Sequence, residues 1–404
     1  MVKPWDIAVI GDYLDFKNGL NKGKEYFGYG TPIVNYTDVY KKRGLKKSGI
    51  NGRVCLSKEE IRRFDVRKGD VFFTRTSETP DEVGMSSVML DDVEDCVFSG
   101  FVLRGRPKND MFVPEYCKYC FSTEAIRNAI ITGCTYTTRA LTNGKQLSAI
   151  EILVPPKPEQ EAIAAALSDM DELISNLEKM IAKKKAIKQG AMQELLTGKR
   201  RLPGFMGEWH KKSIGELGSF ISGTCFPLSY QGNLSEKYPF YKVSDFNNPG
   251  NERQLYNANN YISDDSVQAL GCKIIPKHSI VIAKIGAAIF LERKKLTTQR
   301  CCIDNNMMAF VPFDETTSEF LCYVFQQIKL SDFIEATALP SLSGKTICAI
   351  EKIIPPTIDE QLAIVSVLSD MDNEIEQLEK NLSKYKKIKS GMMSELLTGR
   401  IRLV

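Results

Sequence analysis

Histidine is almost missing from this chain of 404 residues: His210 and His278 are the only two. That leaves little room for histidine-dependent acid–base catalysis. No apolar run approaches the ~20 residues of a membrane span. The opening stretch MVKPWDIAVIGDYLDF lacks the apolar core of a signal peptide, so a cytoplasmic protein is expected. A glycine-rich dinucleotide loop is also lacking, as is a convincing nucleophile–base constellation. The run SGKT at 343–346 looks like the end of a phosphate-binding loop, but the glycine needed five positions before Gly344 is Leu339. Nucleotide binding is therefore not expected. Cys117 and Cys120 form a C-x-x-C with no second pair and no histidine nearby in sequence. Two partly buried thiols explain them better than zinc, and no metal is expected. The eleven cysteines are scattered through a long chain, which is not the pattern of a disulfide framework. A net charge of +4 is compatible with nucleic acid without arguing for it.

What is present is an ordinary globular composition, 43% hydrophobic and 26% charged, at a length that implies two or more domains. The chain also repeats itself. Residues 155–202, PPKPEQEAIAAALSDMDELISNLEKMIAKKKAIKQGAMQELLTGKRRL, return at 355–403 as PPTIDEQLAIVSVLSDMDNEIEQLEKNLSKYKKIKSGMMSELLTGRIRL. The second copy has one extra residue before its EQ. The match extends upstream, NGKQLSAIEILVPP (143–156) against SGKTICAIEKIIPP (343–356), and it opens both halves at Trp5 and Trp209, the only tryptophans. Between these points the echoes are weak: VRKGDVFFTRT (66–76) against IPKHSIVIAKI (275–285). The chain is a tandem duplication whose middles have diverged far more than its ends.

Each repeated end reads as a long helix. Ile163, Leu167, Met170, Ile174, Leu177 and Ile181 alternate spacings of four and three, as do Ile364, Leu368, Met371, Ile375, Leu378, Leu382 and Tyr385. That is a coiled-coil seam. Thr357 and Glu360 form a capping-box pattern, Pro158 suits a first helical turn, and Gly198 and Gly399 mark the ends. Helices of about 40 residues are ~60 Å long. The segments before them mix strand-like runs (DVFFT, SIVIAKI, MMAFV) with helix-like ones (PEYCKYCFSTEAIRNAI, SEFLCYVFQQIKLSDFI). The expected fold class is α+β: globular domains at 1–157 and 203–358, helical spacers at 158–202 and 359–404. Pairing along their length requires the helices to run antiparallel, which relates the two halves by a pseudo-two-fold axis.

The PP…EQ joints (Pro155–Gln160, Pro355–Gln361), the ELLTG helix ends and the LPGFMGEW entry to the second half resemble the specificity subunit of Type I restriction–modification enzymes, over essentially the whole chain. The resemblance implies two target-recognition domains, each reading half of a bipartite asymmetric DNA site, with the helices as spacer. It implies a non-catalytic chain that docks methyltransferase subunits, two copies expected, and recruits restriction subunits. S-adenosylmethionine, ATP and Mg would then sit on those partners and no cofactor on this chain.

No base-contact motif carries over, so candidate DNA contacts come from polar and basic loops after strands. In domain one these are Asn35, Tyr36, Arg43, Lys46, Lys47, Arg75, Thr76, Ser77, Arg139, Asn143 and Lys145. In domain two they are Lys242, Ser244, Asn247, Asn248, Arg253, Lys284, Ser341, Ser343 and Lys345. Arginine and lysine can neutralise phosphates or pair with guanine, and asparagine can pair with adenine. Arg75 and Lys284 are the best placed, at matched positions after matched strands. The repeated LSDMD puts Asp169, Asp171, Asp370 and Asp372 on a candidate partner-docking face. The other readings are a coiled-coil scaffold that binds only proteins, and an enzyme with an unrecognised site.

Overall fold

The computed structural model describes residues 5–314, 316–334 and 340–403. They form two compact units, Met1–Lys179 with Lys380–Val404 and Met180–Glu379. The divisions between the units fall inside the helices. Each unit holds one globular domain, half of the first long helix (Lys157–Leu195) and half of the second (Ile358–Leu396).

The globular part of each unit is built on a five-stranded sheet. In the first unit the order is Leu14–Asn18, Val102–Pro107, Val71–Thr74, Ser86–Met89, Gly44–Leu45. In the second it is Gly218–Ser222, Met307–Pro312, Ile280–Ala283, Lys294–Thr297, Gln254–Leu255. In both, only the last pair is parallel. The duplication, faint in the middle of the sequence, is thus repeated in the strand order and directions of this sheet.

Strand chemistry explains the layering. Val71 and Phe73 point into a core with Tyr116, Phe121 and Ile126, whereas Phe72 points into a second core with Val34, Leu45 and Phe98. Successive side chains of a strand alternate faces, so a run with no polar interruption must be covered twice. Ile280 and Ile282 against Val281 repeat the arrangement. The first core continues onto the helices through Ile163, Leu167, Leu396 and Leu397. Its counterpart continues through Ile364, Leu368, Leu195 and Leu196. Each sheet is therefore seated on the helix pair by one hydrophobic core.

Within each unit the helix halves run antiparallel. Asp171 meets Lys389 and Glu178 meets Lys386 (2.7 Å) in the first. Lys188 meets Asp372 (2.5 Å) and Lys184 meets Glu374 (2.6 Å) in the second. Every seam position named from the sequence is buried or half-buried, and none is exposed. At the second helix start the capping box is half made. Glu360 N–H donates to Thr357 Oγ1 (3.3 Å), but the Glu360 carboxylate is engaged elsewhere. Among the described residues no helix is long and apolar enough to cross a membrane, and no cluster of three metal-ligating side chains occurs.

Candidate nucleic-acid interface

One end of each sheet gathers the polar residues. In the first domain Leu103 pairs with Asn18 and Val102 with Thr74, so Phe101 and Arg75 leave the sheet side by side. Arg75 N–H donates to the Phe101 carbonyl, and Thr142 N–H donates to the Arg75 carbonyl, both at 3.0 Å. Thr142 leads into the short helix Gly144–Ser148, capped by Asn143 and carrying the exposed Lys145. In the second domain Lys284 N–H donates to Asn306 and Leu342 N–H to Lys284, both at 2.8 Å. Ser341, Ser343 and Lys345 follow the same path into Gly344–Cys348.

Arg75, Thr76, Asn143 and Lys145 are therefore brought together, as are Lys284, Ser341, Ser343 and Lys345. The Asn143 side chain already caps its helix by accepting from Gln146 N–H (3.0 Å), which leaves its amide nitrogen to offer. Arg75 is half-buried, and its Nε is enclosed with no hydrogen-bond partner among the described residues. Sequence reasoning missed Phe101, 62% exposed at this corner. Its matched position, Asn306, was the available signal.

The remaining candidates are placed differently. Asn35 caps a helix through Asp38, and Tyr36 stacks on Tyr40 with centroids 5.8 Å apart. Lys46 and Lys47 are exposed, and the Arg43 guanidinium lies 6.0 Å from the Tyr119 ring centroid. Lys242 donates to Gln231 (3.0 Å), and Asn248 to Asn259 (3.1 Å), while Ser244 and Asn247 are exposed. Ser77 is buried and donates to Glu82 (3.2 Å). Arg253 differs most from expectation. It reaches Asn373 (2.8 Å), Asp372 (3.4 Å) and Glu376 (3.8 Å) on the second helix, so its charge is spent holding its own domain to that helix.

The repeated phrases turn out to be joints. Tyr119 Oη donates to Asp171 and Tyr323 Oη to Asp372, both at 2.7 Å. Each aspartate also takes a lysine from the opposing helix, and each lysine lies over the tyrosine ring, 5.9 Å and 5.3 Å from its centroid. Burial opposes the Asp171 charge, but Lys389 and Tyr119 outweigh it and hold the carboxyl below its ordinary value. Burial pushes the Tyr323 phenol up to about 12. Asp171 and Asp372, expected on a docking face, are thus used inside their own units, because a single site there joins domain, first helix and second helix. Asp169 and Asp370 remain exposed.

The EQ of each PP…EQ joint forms a second clasp. Glu159, 2% exposed, accepts from Trp5 Nε1 (2.9 Å) and from both arms of Arg402 (2.6 and 2.7 Å). Glu360, 1% exposed, accepts from Trp209 Nε1 (3.2 Å) and both arms of Arg201 (2.6 and 2.8 Å). Gln160 and Gln361 each accept from the start of a domain helix, Val113 N–H and Thr317 N–H, at 2.9 Å. The ELLTG glycines fit the same clasp. Gly198 and Gly399 both have φ +70°, and an added Cβ would lie 3.1 and 3.2 Å from Trp209 and Trp5.

Two copies of one domain, each clasped to an antiparallel helix pair and each presenting a polar, basic sheet end, define a tandem recognition protein. A family model described as Type I restriction modification DNA specificity domain matches residues 3–189 and again 206–384, and the chain belongs to that family. It is 24% identical over 415 residues to the putative type I restriction enzyme MjaX specificity subunit of Methanocaldococcus jannaschii, covering 99% of this chain and 94% of that protein. It is 26% identical over 212 residues to the type I restriction enzyme EcoKI specificity subunit of Escherichia coli K12, covering 52% of this chain and 44% of that one. The Type-I restriction-modification system S subunit from M. genitalium shares the fold, with a TM-score of 0.57 at 18% identity over 97% of this chain and 96% of that one. A chain from a structural study of type I R-M complex assembly and conformational transition gives 0.59 at 16% identity, over 98% of each chain.

Proposed function

We propose that this chain is the DNA sequence-specificity subunit of a Type I restriction–modification system, acting in the cytoplasm. Each domain reads one half of a bipartite asymmetric site through its sheet end. Arg75, Arg139 and Lys145 in domain one, and Lys284 and Lys345 in domain two, supply positive charge, and the neighbouring amides and hydroxyls supply hydrogen bonds. The observation that carries this reading is the contrast between matched sheet ends and matched joints. The joints keep their residues, Trp–Glu–Arg and Tyr–Asp–Lys, in both halves. The sheet ends keep their backbone bonds but change their side chains, as two readers of two different half-sites must.

The chain itself is non-catalytic. It docks two methyltransferase subunits, Asp169 and Asp370 being exposed contacts for them, and through that complex it meets restriction subunits. Partners carry S-adenosylmethionine, ATP and Mg. The test is DNA binding by the purified chain, with and without its cognate methyltransferase, across a salt series. Binding that weakens steeply with salt is the expected signature of phosphate neutralisation. A scaffold that binds only proteins shows no DNA binding in either case, and methyl transfer by the highly purified chain alone would contradict the non-catalytic role.

A further inference from the structure

We propose that the hairpin formed by Thr135–Tyr136 and Ala140–Leu141 enters the major groove of the half-site read by domain one, where Arg139 and Tyr136 discriminate base pairs. The proposal rests on the reading of this chain as a DNA specificity subunit.

The root of the hairpin is held firmly. Ala140 pairs with Ser77 and Leu141 with Thr76, directly after Arg75, and the next residue, Thr142, donates to the Arg75 carbonyl at 3.0 Å. Gln146 Nε2 ties down the helix end that leads into the other strand by donating to the Gly133 carbonyl at 2.6 Å, and it lies 3.5 Å from Thr135 Oγ1. Beyond this root every residue from Thr135 to Arg139 is exposed. Tyr136 is 57% exposed. Among the described residues the side chains of Tyr136, Thr137, Thr138 and Arg139 have no hydrogen bond or ion pair to the rest of the protein.

An ordered hairpin whose tip contributes nothing to the core has side chains free for a ligand. A two-stranded ribbon fits the width of the major groove. Its tip carries an arginine, which pairs bidentately with guanine, and two threonines, which hydrogen-bond to any base edge. Tyr136 adds a rigid contact surface with one hydroxyl. The neighbouring Arg75, Phe101 and Lys145 place phosphate-binding and apolar contacts on the same end of the sheet. Counting back from Gly144 and Gly344, the positions that match Thr135–Arg139 in the second copy read Glu335, Ala336, Thr337, Ala338 and Leu339. That stretch has neither cation nor aromatic ring. Two domains that read different half-sites would differ at a reading element in this way.

The experiment uses the intact chain with R139A, R139K or Y136A, co-expressed with its methyltransferase, followed by methylome sequencing. Binding of each complex to duplexes altered one base pair at a time is then measured across a salt series. For R139A the expected result is a loss of about ten- to hundredfold discrimination at one or two positions of one half-site. The other half-site should stay unchanged, and R139K should fail to restore the loss because lysine lacks the planar fork. Y136A should relax a position in the same half-site. An unchanged thermal transition and unchanged reading by domain two report that the fold is intact. An unaltered methylated motif with unaltered affinity overturns the proposal. So does a uniform loss of affinity for all sequences with a shallower salt slope, which is the behaviour of a phosphate contact. Failure of the wild-type complex to mark any bipartite site would refute the parent function, and the hairpin's role with it.

Discussion

Half of this chain should assemble with itself. Residues 1–204 contain domain one and the whole first helix, but they lack the end of the second helix that completes the first unit. That end buries Leu396 and Leu397 in the core, packs Met392, Met393 and Leu403 against it, and brings Arg402 to Glu159. A lone fragment lacks the two leucines and leaves the apolar core surface they covered in water, about 1.5–3 kcal/mol for each. It also strands a buried carboxylate, a loss of about 3–5 kcal/mol. Together these approach the whole stability of a typical domain, about 5–15 kcal/mol. A second copy can repair the loss, because its helix offers Leu195, Leu196, Met192, Lys188, Arg201 and Leu202 at the matched positions. Two deficits are evident, Lys184 where the seam has Tyr385 and Ala191 where Met392 stood; the second is a truncation of about 2 kcal/mol, well below the gain. Such pairing is isologous and closes as a two-fold dimer. Light scattering should therefore report a dimer, and the fragment co-expressed with the methyltransferase should mark a palindrome of the first half-site. R201A is the discriminating variant: the fragment has no Glu360, so Arg201 matters there only if it clasps Glu159 of the other copy, and its loss should weaken the dimer sharply. A well-folded monomer, a dimer indifferent to R201A, or a dimer that still marks the asymmetric site would refute the reasoning.

Further outcomes follow from the same joints. Inserting one heptad after Lys179 and a matching one after Glu379, where the compact units divide the helices, adds ~10.5 Å of helix. That is about three base pairs at ~3.4 Å each, so methylome sequencing should show a longer unspecified gap between unchanged half-sites; an active variant with the old gap contradicts the spacer role. Glu159 is held below its ordinary value of 4.5, chiefly by Arg402. A depressed carboxyl stabilises the fold above its unfolded value and ceases to do so as pH falls through the lower folded one. In W209F, where Trp5 is the sole tryptophan, its fluorescence should hold from pH 7 to about pH 4.5 and change only below that; a transition near pH 6 would mean that another group controls the clasp. Finally, the second clasp is spanned covalently by Pro203–Glu208, whereas the first joins Leu403 to Trp5 without a covalent link. Joining Leu403 to Trp5 with the sequence PGFMGE and opening the chain between Leu202 and Trp209 should leave the recognised site unchanged, and a folded permutant with altered specificity would argue against equivalent clasps.

The sequence by itself determined the duplication, the two helices with their seam, the α+β class and the membership of a family, because heptad spacing and repeated phrases are local and survive as strings. The strand runs around Val71–Thr74 and Ile280–Ala283 were legible for the same reason: an unbroken apolar run needs cover on both faces. Arg75 and Lys284 could be paired because their strands align. Only the tertiary structure decided what the repeated acids do. Nothing in LSDMD tells Asp169, which faces solvent, from Asp171, which meets Tyr119 and a lysine from more than two hundred residues away. Nothing in PEQE shows that Glu159 is closed over by Trp5 and Arg402. Arg253 read as a DNA contact for the same reason: a polar loop looks alike whether its charge faces a phosphate or a carboxylate on its own helix. Partners far apart in the chain meet only when the sheet is seated on the helix pair, and that seating depends on cores shared between distant segments, which spacing along the sequence does not record.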